Sequence, residues 1–184
     1  ILIERDRDLD LRELLEIARA SYQGRLTNDR VVDQVFDFMM ERLRGYYTDQ
    51  AIAPDTFEAV LARQPTRPRD FNARIQAVAE FRRLEAAQSL AAANKRIANL
   101  LKKVTATIPP TIDPAHLPEQ AEQSLLAQIE AASAEVAPLF AARRYAEGLT
   151  RLAALREAID AFFDQVMVMS EEIALRNNRL ALLQ

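Results

Sequence analysis

The stretch "LAAANKRIANLLKK", residues 90–103, holds four cations and two asparagines among apolar and small residues. Counted at about 100° per residue, Lys95, Asn99, Lys102 and Lys103 share one side of a helix, with Arg96 at its flank. Leu90, Ala93, Ile97, Leu100, Leu101 and Val104 share the other side. A comb of cations along a helix can track a phosphate backbone, and an amide adds a donor and an acceptor that charge alone does not need. The same pattern also serves simply to keep an alanine-rich helix hydrated. Upstream, "RQPTRPRD" sets Arg63, Arg67 and Arg69 on or beside a proline-broken loop. Planar guanidinium groups there could stack on splayed bases or pair with phosphates, as a single-stranded RNA loop demands, although a solvated charged loop has the same composition. Arg74, Arg82 and Arg83 complete the block: residues 60–105 carry ten basic and three acidic side chains, while both flanks are net acidic. An anion is therefore welcome only in the middle of the chain. Tyr46 and Tyr47 could stack on bases, but their place at the end of an apolar helix suits a core.

Catalytic chemistry finds little material. The chain has no cysteine, so thiolate nucleophiles, thiolate metal sites and disulfides are excluded. Three glycines in 184 residues leave no Gly-rich nucleotide loop. The single histidine, His116 in "TIDPAHLPEQ", lies between prolines and reads as a plain loop residue. Acid pairs such as Glu171–Glu172 or Asp160–Asp164 occur at spacings any helical protein supplies. No catalytic residue, no metal site and no cofactor are expected here. No apolar run reaches the ~20 residues of a membrane span, so no membrane partner is expected either, and a cysteine-free chain suits a reducing, cytoplasmic setting.

The elements that must position these residues are helical throughout. Asp10 followed by Glu13 resembles a capping box opening a helix to about Tyr22. Asn28 or Asp29 starts a second, carrying Val31, Val32, Val35, Phe36, Met39 and Leu43 on its apolar side to near Tyr47. Pro54 fits a first helical turn. After "RQPTRPRD", with Asp70 as cap, a helix is predicted from Phe71 to Leu84 and another from Glu85 or Ala86 to Val104. Residues 105–117 form a proline-rich linker. Pro118 then opens a helix to near Ala141, broken or kinked at Pro138. A single long helix is predicted from Tyr145 to about Val168, and a last one at the terminus. The fold class is all-α, a bundle of seven or eight helices.

Five ordered blocks are more specific than any one helix: "ILIERDRDLDLRELL", "VVDQVFDFMMERLRGYYTDQAIAPDTFEAVLA", "LAAANKRIANLLKK", "AIDAFFDQVMVM" and "ALRNNRLALL". Together they resemble the C-terminal part of the β subunits of bacterial glycyl-tRNA synthetases of the α2β2 type. The resemblance implies a helical anticodon-binding domain of the DALR type, with Ala174, Leu175 and Arg176 on the signature and Ile173 in place of its acid. It implies three segments: residues 1–25 ending a preceding helical domain, 26–67 connecting helices, and 68–184 the DALR-like domain, truncated at its C-terminus. It also implies that family members begin before Ile1 and continue past Gln184. The partners it implies are glycine tRNA, the α subunit and the rest of the β subunit, with no DNA. ATP and Mg²⁺ would be handled by the α subunit.

The terminal helix carries leucines on two sides with polar residues between them. Leu175 and Leu182 point one way, Ile173, Leu180 and Leu183 another. Such a helix is packed between neighbours, so Arg176, Asn178 and Arg179 are expected to tie loop carbonyls and helix ends. The residues expected at RNA are Arg63, Arg67, Arg69, Arg74, Arg82, Arg83, Lys95, Arg96, Asn99, Lys102 and Lys103. The competing expectation is a helical scaffold for subunit or domain association, its basic block merely solvated.

Overall fold

A computed structural model describes residues 1–105 and 107–184, and among these there are helices and no strand. The linker expected over 105–117 includes residue 106, which lies outside the described residues. The chain divides into two units, Ile1–Glu80 and Phe81–Gln184. The helix beginning at Pro68 was expected to open the second domain, yet its core residues belong to the first. Phe71 and Ile75 are fully buried against Leu11, Phe36, Met40, Tyr47, Phe57 and Val60. Burial of these two apolar side chains, rather than the proline break, sets the boundary.

The first unit consists of α1 (Leu11–Ser21), α2 (Val31–Asp49), α3 (Pro54–Leu61) and α4 (Pro68–Phe81). Asp10 caps α1, accepting from the backbone N–H groups of Arg12 at 2.9 Å and Glu13 at 3.2 Å. Its second oxygen accepts from the Thr66 hydroxyl at 2.6 Å, and Leu11 N–H donates to Thr66 O at 2.9 Å. One short acid thus ties the start of α1 to the segment entering α4. Tyr47 and Phe71 stack with centroids 5.8 Å apart, and Phe57 lies 5.3 Å from Phe71. The buried Tyr47 hydroxyl donates to Asn72 Oδ1 at 3.0 Å, which satisfies a polar atom that this aromatic core traps. Tyr47 is therefore core, and burial pushes its phenol above the ordinary value. Helix α4 starts at Pro68, not after Asp70. A proline fits a first turn because it has no N–H to leave unpaired, and Asp70 lies inside that turn and binds Arg74 at 2.8 Å. Likewise α2 begins at Val31, with the Asn28 side chain accepting from Arg30 N–H just ahead of it.

The second unit consists of α5 (Glu85–Lys102), a 3-10 turn (Pro114–His116), α6 (Gln120–Ala141), α7 (Tyr145–Ala153), α8 (Arg156–Gln165) and α9 (Ile173–Leu182). Its core joins Leu117, Ala121 and Leu125 to Ala158, Phe162, Val166, Val168, Leu180 and Leu182, with Leu100 and Leu101 of α5 and Val104 just after it packed on its edge. The single helix expected over Tyr145–Val168 is two. Ala154 and Leu155 turn on bonds from their N–H groups to Arg151 O and Leu152 O, three residues back. So short a tightening barely moves the apolar phase, and periodicity cannot register it. The chain leaves α8 extended at Val166 and bends at Val168 and Met169; Val166 and Val168 are buried, while Met167 and Met169 are exposed. Pro138 falls in the last turn of α6, which continues through it to Ala141.

Helix α9 is held at three places by its polar residues. Asn178 accepts from Asp113 N–H at 2.8 Å and donates to Asp113 O at 2.9 Å and His116 O at 3.0 Å. Arg179 donates through Nε to Glu122 Oε1 and through Nη1 to Met167 O at 2.9 Å. Glu122, with no exposed surface, also accepts from Glu119 N–H at 2.8 Å and so caps α6. Arg176 is half-buried and makes one longer bond, to Ser170 O at 3.3 Å. Ile173 departs from the two-sided apolar pattern: it is 64% exposed, because the first turn of α9 extends beyond the core that buries Leu180 and Leu182.

Candidate nucleic-acid interface

The basic residues of the 60–105 block fall into two sets. Arg63, Arg67, Arg69 and Arg74 belong to the first unit; Arg82, Arg83, Lys95, Arg96, Lys102 and Lys103 belong to the second. Three of the first set are bound to acids. Arg67 meets Asp8 at 3.3 Å and Asp10 at 3.7 Å, Arg69 meets Asp6 at 2.9 Å, and Arg74 meets Asp70 at 2.8 Å. Arg67 and Arg69 of "RQPTRPRD" therefore fasten the N-terminal segment to the start of α4, and their cations are largely neutralised where they stand. Arg63 is exposed in the turn after α3, and Arg82 and Arg83 are exposed between α4 and α5.

Helix α5 presents a different surface. Lys95, Arg96, Asn99, Lys102 and Lys103 are all exposed, while Ala93 is buried and Ile97, Leu100 and Leu101 are half-buried. The amphipathic split follows from alanine and leucine spacing: the apolar side packs on the α8 region and leaves the cations facing solvent. Among the described residues, Lys95, Lys102 and Lys103 have no carboxylate partner. Ala92, Lys95, Arg96, Asn99, Leu100 and Lys103 line a groove of about 450 Å³ along this face. Its lining combines three cations with the Asn99 amide and the small or apolar Ala92 and Leu100. Arg96 sits over the Phe163 ring of α8, Cζ 4.1 Å from the centroid. Sequence reasoning missed Phe163, since nothing local relates residues so far apart in the chain.

Other clusters offer less. A groove of about 310 Å³ in the first unit is lined by Leu2, Ile3, Met39, Leu43 and Tyr46 with Arg42 as its charged residue, a surface without acid–base chemistry. Among the described residues no group of three or more His, Cys, Asp or Glu side chains is placed to hold a metal ion. His116 bonds through Nδ1 to Asp113 Oδ2 at 2.8 Å, within the turn that Asn178 holds. No helix among the described residues is long and apolar enough to cross a membrane.

Fold and surface define, among the described residues, an all-helical module with an unneutralised cationic helix face. Residues 90–184 match the DALR anticodon binding domain, and the chain belongs to that family. The matched range begins within α5 and runs through α9, so the groove-lining residues and the stapled terminal helix fall within it. Along its whole length the chain is also similar to glycine–tRNA ligase β subunits. It is 50% identical over 183 residues to that of Tolumonas auensis, covering 100% of this chain and 26% of the relative. The β subunits of Aeromonas salmonicida and Pasteurella multocida are 52% and 51% identical, each over 100% of this chain and 27% of the relative. The chain thus spans about a quarter of the length of the curated relatives it matches. The resemblance carried by the five sequence blocks is met from end to end.

Proposed function

We propose that this chain is the tRNA-recognition portion of a glycine–tRNA ligase β subunit, and that it binds the anticodon stem and loop of glycine tRNA through the exposed face of α5. The observation that carries the reading is the coincidence of the DALR match, residues 90–184, with an unneutralised cationic helix face. In this reading the chain contributes to ATP-dependent glycylation of tRNA in the cytoplasm. Glycine, ATP and Mg²⁺ are handled by the α subunit, and no bond is made or broken here. The purified chain alone is expected to show no glycine-dependent ATP–pyrophosphate exchange.

The first unit supports a different contribution. With Arg67, Arg69 and Arg74 paired to acids, its basic residues have less charge to offer phosphates, and association with the α subunit or the rest of the β subunit suits it better than RNA.

The test is tRNA binding by fluorescence anisotropy across a salt series. Three phosphate contacts from Lys95, Lys102 and Lys103 would give a log–log slope of about −2. Lys95→Glu with Lys102→Glu should weaken binding and flatten that slope, while circular dichroism stays unchanged because both lysines are exposed. Neutralising Arg143 and Arg144, the latter bound to Glu147, should do much less. An unchanged affinity and slope in the double charge reversal would make the face merely solvated and leave the scaffold reading in its place.

A further inference from the structure

Within the groove, Arg96 differs from the lysines around it in what fixes it. Its guanidinium carbon lies 4.1 Å from the Phe163 centroid, close enough for the cation to be held electrostatically by the ring face. The side chain is nevertheless exposed, and among the described residues no carboxylate pairs with it. Arg96 is thus a planar cation held over an aromatic ring on a side chain that is itself exposed. We infer that the Arg96–Phe163 pair is a stacking platform for one unpaired nucleobase of a single-stranded RNA segment whose phosphates run along Lys95, Lys102 and Lys103. The inference rests on the reading of α5 as an RNA-binding face and deepens it.

Geometry and chemistry support this placement. Counted from Lys95 at about 100° per residue, Lys102 and Asn99 lie close to it around the helix, followed by Lys103 and then Arg96. The platform therefore stands at one edge of the cation comb and not within it. Along the axis, Lys95 to Lys103 covers roughly 12 Å at the rise of an α-helix, a reach of a few nucleotides. A backbone following the lysines turns its bases to one side, and on the Arg96 side they meet a guanidinium plane and the half-buried Leu100. A guanidinium already ordered by Phe163 loses less freedom on stacking than a free one would. Paired bases keep their faces covered, so the platform selects a loop over a stem. Arg67 and Arg69 of "RQPTRPRD" are less free to stack, being engaged with Asp8, Asp10 and Asp6.

The experiment uses the full chain and glycine tRNA carrying 2-aminopurine at single loop positions, read by fluorescence quenching and by anisotropy over a salt series. Arg96→Lys keeps the charge and removes the plane. It should weaken binding on the order of tenfold, the scale of one lost base stack, leave the salt slope unchanged, and abolish quenching at one loop position. Phe163→Leu, which keeps an apolar side chain against the core, should reduce the same quenching. Lys95→Glu with Lys102→Glu is the contrasting variant, flattening the slope. If Arg96→Lys binds and quenches as the parent does while the double charge reversal still weakens binding, the platform is overturned and the RNA face stands. A slope lowered by Arg96→Ala with quenching retained makes Arg96 a phosphate contact and equally overturns it. If the double charge reversal changes nothing, the face is not an RNA site, and both readings fall.

Discussion

At the scale of single residues, the buried Glu122–Arg179 pair is sensitive to the loss of either partner. The carboxylate caps α6 and binds a guanidinium that also holds the Met167 carbonyl. Removing one partner leaves a buried charge alone, so Arg179→Met is expected to destabilise the second unit by about 3–5 kcal/mol in urea denaturation. Adding Glu122→Leu should recover a large part of that loss, since apolar replacement of both partners removes the stranded charge. A double variant no better than the single one would show that the α6 cap, and not the ion pair, carries the effect. Arg176→Ala should cost only about 1 kcal/mol, because one half-buried bond to Ser170 O is lost. Asn178→Ala should cost more, since it frees three backbone groups of the 113–116 turn.

At the scale of elements, ends and close approaches decide the packing. Asp10→Ala removes the α1 cap together with the acceptor for Thr66, and a melting experiment should register a loss of about 1–2 kcal/mol. Gly148 in α7 is buried, and a Cβ added there would run into the edge of the Phe140 ring at the end of α6. Helix propensity alone would make Gly148→Ala stabilising by about 1 kcal/mol. The clash opposes this, because Phe140 must leave its contact with Tyr145, where the centroids are 5.9 Å apart. The substitution should therefore destabilise the parent protein but stabilise a Phe140→Ala background, a sign change that a double-mutant cycle measures directly. The same sign in both backgrounds would mean that α6 and α7 adjust without using that ring.

At the scale of the whole molecule, surface electrostatics set an acid limit to stability. The Thr66 hydroxyl holds the Asp10 carboxyl below its ordinary range, Arg12 does so for Asp33, and His116 for Asp113. Arg151 and Arg144 lower Glu135 and Glu147 in the same way. Because each folded-state value is depressed, the contribution is fully present above the unfolded values, near pH 4, and is lost as pH falls through the lower folded ones. Stability should accordingly be flat from about pH 5 to neutrality and fall below about pH 4. Added salt should shrink that fall, since most of these pairs face solvent. An acid limb unchanged by Asp10→Asn with Asp33→Asn would assign the acid sensitivity to other carboxylates.

Helix content, the α1 cap and the polar face of α5 were legible in the sequence because each depends on residues within a few positions of one another. Asp10 reaches the N–H groups of Arg12 and Glu13, and Lys95, Asn99, Lys102 and Lys103 share a face by helical geometry alone. The ordered blocks carried the family for a related reason: each retains a local pattern, and five in sequence are hard to meet by accident. Tertiary structure decided the rest. A run of arginines gives no sign that Arg67 and Arg69 will be neutralised by Asp8, Asp10 and Asp6, which lie far behind them in the chain. Nor does α4 announce that Phe71 and Ile75 complete the core of the first unit. The pairing of Arg96 with Phe163 and of Glu122 with Arg179 joins residues more than fifty positions apart. Charge and spacing determine which side chains can meet an anion; only folding determines which of them have already met one.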